Sequence, residues 1–183
     1  MKIKMPELLL IAGTGRNSGK TTLACSVIRN ISQGQPIVAI KITPHFHKNR
    51  IPGRIWVDRD DLVIVEETRT DTDKDTSRML RAGAEQVYFV MAKEEQLREA
   101  IQIIIHLIPK KQPIVCESGG LIHHIEPGLF LMMNRSETTE FKPGTGDLIA
   151  LADRWITFDG NIPDFDPDTI IYSANQWKIV PKN

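Results

Sequence analysis

The chain has 183 residues, of which 41% are hydrophobic and 25% are charged, and its 23 lysines and arginines equal its 23 aspartates and glutamates. This composition is typical of a soluble globular protein, and the length predicts a single domain over residues 1–183. A net charge of zero gives no electrostatic reason to expect a nucleic acid or a membrane surface as partner. Two cysteines without a CxxC spacing, and no apolar run near the ~18 residues of a membrane span, predict a cytoplasmic protein.

The first predicted elements are a buried strand over residues 7–12, a glycine-rich turn and a helix over residues 19–32. Because the glycines lack Cβ atoms, backbone N–H groups can turn toward one small volume and surround an anion. Lys20 is placed to reach the β- and γ-phosphates of a nucleotide, and the Thr21 hydroxyl is placed to bind Mg²⁺. The order of strand, loop and helix therefore predicts a nucleotide-binding loop formed by Gly13, Thr14, Gly15, Arg16, Asn17, Ser18, Gly19, Lys20, Thr21 and Thr22.

The loop differs from the common pattern G-x-x-x-x-G-K-[ST], because Thr14 stands where that pattern has its first glycine. Its Gly-Thr-…-Gly-Lys-Thr form resembles the loop of dethiobiotin synthetases and cobyrinic acid amide synthetases. Residues 16–23 are also similar to the Lys-Asn-Ser-Gly-Lys-Thr-Thr-Leu of the molybdopterin-guanine dinucleotide biosynthesis protein B family, MobB. The resemblance implies an α/β, three-layer P-loop NTPase fold, with a mainly parallel central sheet and helices on both faces, that binds ATP or GTP together with Mg²⁺.

Residues 36–42 predict a second strand, parallel to the first and next to it. Lys41 lies at its carboxyl end, where α/β sheets bind ligands. The alternative is that Lys41 is only solvated there and binds no ligand. Dethiobiotin synthetases have a functional lysine at the end of this strand and MobB proteins have a similar Ile-Lys-His-x-His-His, so the resemblance implies a catalytic Lys41. His45 and His47 have no carboxylate or cysteine beside them, which favours a polar loop near the site over a zinc site.

Residues from about 48 to 70 leave the alternation of strand and helix. Two apolar runs, 54–57 and 62–65, flank the polar residues 58–61. This pattern predicts a β-hairpin. The hairpin is equally well explained as a binding element and as an edge of the sheet.

Residues 70–84 place alternating carboxylates just ahead of a short predicted helix. Such carboxylates either cap the helix or offer oxygens to a hard cation. The segment from Lys74 through Ala84 also resembles the Lys-Asp-Ser/Thr-…-Arg-x-Ala-Gly-Ala of MobB proteins, which lies at their nucleotide and metal site. The resemblance implies that Asp75 is a magnesium-side carboxylate, with Asp73 as the second candidate.

A third strand is predicted over residues 86–91, an amphipathic helix over 94–107 and a buried strand that ends at Glu117. A carboxylate beside the phosphate loop polarises Mg²⁺ or its waters in NTPases of this type. The alternative is that the Glu117 side chain has no such role and only points into solvent. The run Glu117-Ser118-Gly119-Gly120 resembles the Glu-Gly-Ala-Gly-Gly of dethiobiotin synthetases, and MobB proteins have Val-Glu-Gly there.

Residues 130–135 predict the next strand, near whose end lies Asn134. In this branch of P-loop proteins an asparagine there often hydrogen-bonds the base, and residues 134–137 faintly resemble the Asn-Lys-x-Asp of guanine-binding proteins; a turn residue is the alternative. The last predicted elements are a short helix over 145–153, a strand over 155–158, and a tail around 169–172 that adds an edge strand or covers one face.

The predicted site residues all fall at the carboxyl ends of strands, with Lys20, Lys41 and Glu117 as the catalytic set and Thr21, Asp75 and Glu117 as the metal ligands. Three functions follow. The first is a MobB-like Mg-dependent NTPase that assists molybdenum cofactor biosynthesis. The second is a ligase like dethiobiotin synthetase that activates a carboxylate or carbamate, and the third is a nucleotide-binding regulatory or scaffold protein. Each needs a further small-molecule or protein partner, and the branch often forms homodimers.

Overall fold

Strands and helices alternate along most of the chain in the computed structural model, which describes residues 1–46, 52–136 and 145–181. In chain order the elements are β1 (Ile3–Gly13), α1 (Lys20–Ser32), β2 (Val38–Thr43), β3 (Arg54–Asp58), β4 (Leu62–Glu66), α2 (Asp75–Arg81), β5 (Gln86–Ala92), α3 (Leu97–Leu107), β6 (Ile114–Glu117), β7 (Ile125–Arg135), α4 (Thr145–Leu151), β8 (Arg154–Phe158), β9 (Ile170–Ser173) and β10 (Gln176–Ile179).

Eight strands of the described residues form one sheet in the order β3-β4-β5-β2-β6-β1-β7-β8. Strands β5, β2, β6, β1, β7 and β8 are parallel, whereas β3 and β4 run antiparallel at one edge. Parallel neighbours need long crossover connections, and helices provide most of them. The prediction of an α/β chain with a mainly parallel central sheet is confirmed.

Helices cover both faces of this sheet because its central strands are apolar on both sides. In β1, Leu9 and Ile11 belong to the core beneath α1 and α2, and Leu8 and Leu10 belong to the core beneath α3. This layering agrees with the expected three-layer arrangement. Within the described ranges, no helix combines the length and apolar character needed to cross a membrane.

The prediction that β1 and β2 are neighbours was wrong, because β6 lies between them. Cys116 of β6 pairs in register with Leu10 of β1 and with Ile40 of β2. All four residues of β6 are buried, and a strand that is apolar on both faces fits the centre of a parallel sheet. As a consequence, Glu117 ends its strand at the middle of the carboxyl edge.

The predicted hairpin is confirmed, and it forms one edge of the central sheet. Strands β3 and β4 pair antiparallel, and β4 pairs antiparallel with β5. Of the two alternatives predicted for the tail, the second is confirmed: its described part covers one face and adds no edge strand to the central sheet. Strands β9 and β10 form a separate two-stranded sheet whose Ile170 and Trp177 join the core beneath α1.

Several element bounds differ from those predicted. Strand β1 begins at Ile3 because residues 3–5 pair with residues 125–127 of β7 ahead of a register shift. The helix predicted over 94–107 starts with a 3-10 turn, and α3 begins at Leu97. Both cysteines, Cys25 and Cys116, are buried in the core.

A buried hydroxyl in the core gives a stability test of the fold. Tyr88 is 0% exposed, and its hydroxyl has no hydrogen-bond partner among the described residues. Because Tyr88→Phe removes an unsatisfied polar group, we expect the free energy of unfolding in urea to rise by about 1 kcal/mol. Tyr172→Phe is the matched control: it loses a 2.8 Å hydrogen bond to the Lys111 carbonyl and should not stabilise the protein. A destabilised Tyr88→Phe variant would contradict this packing.

Candidate active site at the carboxyl edge of the sheet

The glycine-rich loop between β1 and α1 makes a tight turn that two of its glycines permit. Gly19 has a φ of 83°, and a Cβ placed on it would lie 2.6 Å from the Phe158 ring. A Cβ on Gly13 would collide with the Ser18 hydroxyl. Larger residues at these positions would therefore push the loop away from β8 or open its inner curve.

The Lys20 ammonium lies within the curve of this loop. It donates hydrogen bonds to the Gly15 carbonyl at 2.7 Å and to the Ser18 hydroxyl oxygen at 3.1 Å. The Ser18 hydroxyl in turn donates to the Gly15 carbonyl at 3.1 Å. The loop thus closes around Lys20, and the two oxygens that accept these hydrogen bonds are neutral.

Thr14 and Asn134 hydrogen-bond to each other beneath the loop and do not line the cleft described below. The Thr14 hydroxyl donates to the Asn134 side-chain oxygen at 2.9 Å, and the Thr14 N–H donates to the Met133 carbonyl at 3.0 Å. Both side chains are buried. The threonine in place of the usual glycine therefore fastens the loop to β7. Contact of Asn134 with a base stays a prediction, and Glu137 lies outside the described residues.

A charged network joins two strands, β2 and β6, and two helices, α1 and α2, at the carboxyl edge. Glu117 accepts a hydrogen bond from the Thr21 hydroxyl at its Oε2 (2.7 Å) and from the Lys41 ammonium at its Oε1 (2.6 Å). Lys41 also contacts Asp75 Oδ2 at 2.8 Å, and Arg78 Nη1 lies 3.3 Å from Asp75 Oδ1. Because Glu117 is only 3% exposed, these partners compensate for the cost of burying its carboxylate.

The network favours the charged forms of Lys41 and Asp75. Burial lowers the pKa of the Lys41 ammonium, but Glu117 and Asp75 more than offset this effect and the pKa is raised. Burial alone would raise the pKa of Asp75, yet its contacts with Lys41 and its proximity to Arg78 bring that pKa below its ordinary value. The opposite charges nearby outweigh desolvation in both cases.

A cleft of about 740 Å³ opens over this network. Most of the predicted site residues line it together, namely Gly13, Gly15, Arg16, Asn17, Ser18, Gly19, Lys20, Thr21, Thr22, Lys41, Asp75 and Glu117. His45 lines the cleft as well, and His47 lies outside the described residues. Asp73 is exposed and is not among the lining residues.

Of the ligands predicted for Mg²⁺, the carboxylates of Asp75 and Glu117 both contact Lys41, and the Thr21 hydroxyl contacts Glu117. Residues 1–46, 52–136 and 145–181 contain no group of three histidine, cysteine, aspartate or glutamate side chains arranged for a metal. Magnesium commonly uses one or two carboxylates and completes its shell with water and phosphate oxygens. The hard oxygens of Thr21, Asp75 and Glu117 fit that requirement.

Sequence reasoning missed several residues that line the cleft. Arg78 follows Asp75 by three residues on α2, a spacing that puts two side chains on one helix face and could have identified it. Phe158 and Gly160 follow from the rule that ligands bind at the carboxyl ends of strands, since they lie at the end of β8. Arg135 also lines the cleft and follows from the same rule, because it is the last residue of β7.

A buried glutamate outside the cleft holds Asp75 in position. Glu67 is 6% exposed and accepts a hydrogen bond from the Thr76 hydroxyl at 2.7 Å. Its other oxygen accepts from the N–H groups of Thr68 and Arg69. These contacts fix the start of α2, where Asp75 is the first residue.

Comparison with known proteins leaves the chain without a family assignment. No family model, curated protein or solved structure matches it. The resemblance to MobB and dethiobiotin synthetases therefore depends on the short motifs quoted above.

The lowered pKa of Asp75 predicts a pH-dependent contribution to stability. A carboxylate with a depressed folded-state pKa stabilises the protein above its unfolded value, about 3.8, and loses this effect as the pH falls through the folded value. At about pH 6 we expect Asp75→Asn to unfold more easily in urea than the unmodified chain does. The difference between their free energies of unfolding should shrink toward about pH 3. A difference that stays constant over this range would contradict the salt bridge to Lys41.

Proposed function

We propose that this chain binds a nucleoside triphosphate with Mg²⁺ at the glycine-rich loop and hydrolyses it or transfers its terminal phosphoryl group. The observation that supports this most is the 2.7 Å hydrogen bond between the Thr21 hydroxyl and Glu117. It joins the second residue of the helix after the loop to the carboxyl end of β6. A hydroxyl and a carboxylate adjacent to a glycine-rich loop are a suitable pair for a magnesium–phosphate ligand.

The loop offers the polyphosphate both backbone donors and a positive charge. Helix α1 has 13 residues, and the N–H groups at its amino end favour an anion. Lys20 donates to two neutral oxygens, and a phosphate oxygen is the stronger acceptor for an ammonium. We therefore expect Lys20 to exchange the Gly15 carbonyl for a phosphate.

Thr21, Glu117 and Asp75 would hold the cation. Bound there, Mg²⁺ supplies positive charge that polarises the phosphoryl oxygens. The loop N–H groups and the Lys20 ammonium would stabilise the charge that develops on the transferred group.

Lys41 gives specific support to a ligase-type reaction as the second candidate. Its ammonium contacts Glu117 and Asp75 on the wall of the cleft, where it can bind a carboxylate or carbamate that the nucleotide activates. A MobB-like NTPase that assists molybdenum cofactor biosynthesis follows from the motif resemblance alone. Nucleotide consumption that depends on a small carboxylate or carbamate would favour the ligase, whereas slow turnover that a protein partner stimulates would favour the MobB-like protein.

Thermal unfolding with a panel of ATP, GTP, ADP and GDP, each with and without Mg²⁺, tests the proposal. A ligand at 100 times its Kd stabilises the folded state by about 2.7 kcal/mol, which corresponds to a rise of about 5–10 °C in Tm for a chain of this size. We expect this rise for a triphosphate with Mg²⁺, and its loss in Lys20→Ala.

Lys110→Ala provides the matched control, because Lys110 is exposed and precedes β6 at the opposite end of the sheet. It should keep the full ligand-induced rise in Tm. If Lys20→Ala and Lys110→Ala respond alike to the triphosphate, or if the unmodified chain responds to none of the nucleotides, the proposal is wrong. If the unmodified chain binds a nucleotide and does not turn it over, a regulatory or scaffold protein would instead be favoured.

A further inference from the structure

We propose that the part of the cleft beside β2 is a subsite for an anionic group of a second substrate, a phosphate or a carboxylate, with Arg78 as its anchor. This inference rests on the proposed function, because it assigns a ligand to the same cleft. Arg78 lines the cleft together with Lys41, Thr43 and His45. Strand β6 lies between β2 and β1, so the axes of β2 and β1 are about 10 Å apart, which is two strand spacings.

The wall of the cleft beside β2 carries two cationic side chains, Lys41 and Arg78. Carboxylates hold them to different degrees. Lys41 contacts Glu117 at 2.6 Å and Asp75 at 2.8 Å, and its side chain is 18% exposed. Arg78 approaches Asp75 with a single nitrogen at 3.3 Å, and both of these side chains are 38% exposed. This last distance exceeds the ~2.7–2.9 Å of a strong charge-assisted hydrogen bond. Arg78 is therefore the cation that a new anion can most easily recruit.

A divalent cation would change the partners of both side chains. Asp75 and Glu117, the carboxylates that would bind Mg²⁺, are also the ones that contact Lys41 and Arg78. Because like charges repel, an ion between these carboxylates disfavours the ammonium and the guanidinium that now contact them. Both groups would then turn toward the cleft and leave two positive charges on one wall.

The side chain of Arg78 suits a small planar or tetrahedral anion. The guanidinium of arginine presents paired N–H donors that match two oxygens of a carboxylate or phosphate. The turn after β2 is fixed by a 3.2 Å hydrogen bond from the His45 N–H to the Thr43 hydroxyl oxygen. Because a bound cation would repel Lys41 and Arg78 from Asp75 and Glu117, it would complete the anion subsite. Binding of the second substrate would then be coupled to the loaded nucleotide.

Calorimetric titration of inorganic phosphate, and separately of acetate, tests the subsite on protein saturated with Mg²⁺ and a non-hydrolysable triphosphate analogue. The analogue fills the phosphate positions of the loop, so the added anion reports on the second subsite. We expect one of the two anions to bind, and the tighter one identifies the chemistry. Arg78→Gln should weaken this binding by about tenfold or more, and Arg78→Lys should weaken it less.

Arg29→Gln is the matched control, since Arg29 is an exposed arginine of α1 that does not line the cleft. It should bind both the anion and the analogue as tightly as the unmodified chain does. Equal anion binding by Arg78→Gln, or anion binding that needs no Mg²⁺, would overturn the subsite. If the analogue binds and neither anion does, only the subsite fails; if the analogue itself does not bind, the proposed function fails and the subsite with it.

Discussion

The arrangement of the site depends on one buried carboxylate. Glu117 is held on one oxygen by the Thr21 hydroxyl and on the other by the Lys41 ammonium, so it links the helix after the glycine-rich loop to the neighbouring strand. A carboxylate that is 3% exposed is stable only with such partners, because an unpaired buried charge is very costly. The same constraint that keeps the protein folded at this edge therefore assembles the cleft.

The position of β6 explains how this carboxylate comes to lie there. The strand lies between β1 and β2, so Glu117 pairs in register with Ile11 on one side and Lys41 on the other. In a parallel sheet, side chains at the carboxyl ends of adjacent strands meet at one edge. Asp75 and Arg78 reach the same edge from α2, whose start is anchored by the buried Glu67. Loop, strands and helix thus converge on one charged network.

Local sequence patterns were sufficient for most elements and for much of the site. The apolar run before the glycine-rich loop predicted β1, and alternating apolar runs predicted the hairpin. The order of the strands was not accessible, because pairing between distant strands leaves no local signal; both β1 and β2 are apolar enough to be neighbours. For the same reason, no local pattern indicated the hydrogen bond between Asn134 and Thr14, which are 120 residues apart.

A crystal structure of the protein with Mg²⁺ and a non-hydrolysable triphosphate analogue tests the central claim most directly. The account predicts that the phosphates lie within hydrogen-bond distance of the N–H groups of the glycine-rich loop and of the Lys20 ammonium, with Thr21 and Glu117 beside the metal ion. A nucleotide bound elsewhere, or a loop that keeps Lys20 on the Gly15 carbonyl with no phosphate near it, would contradict the account.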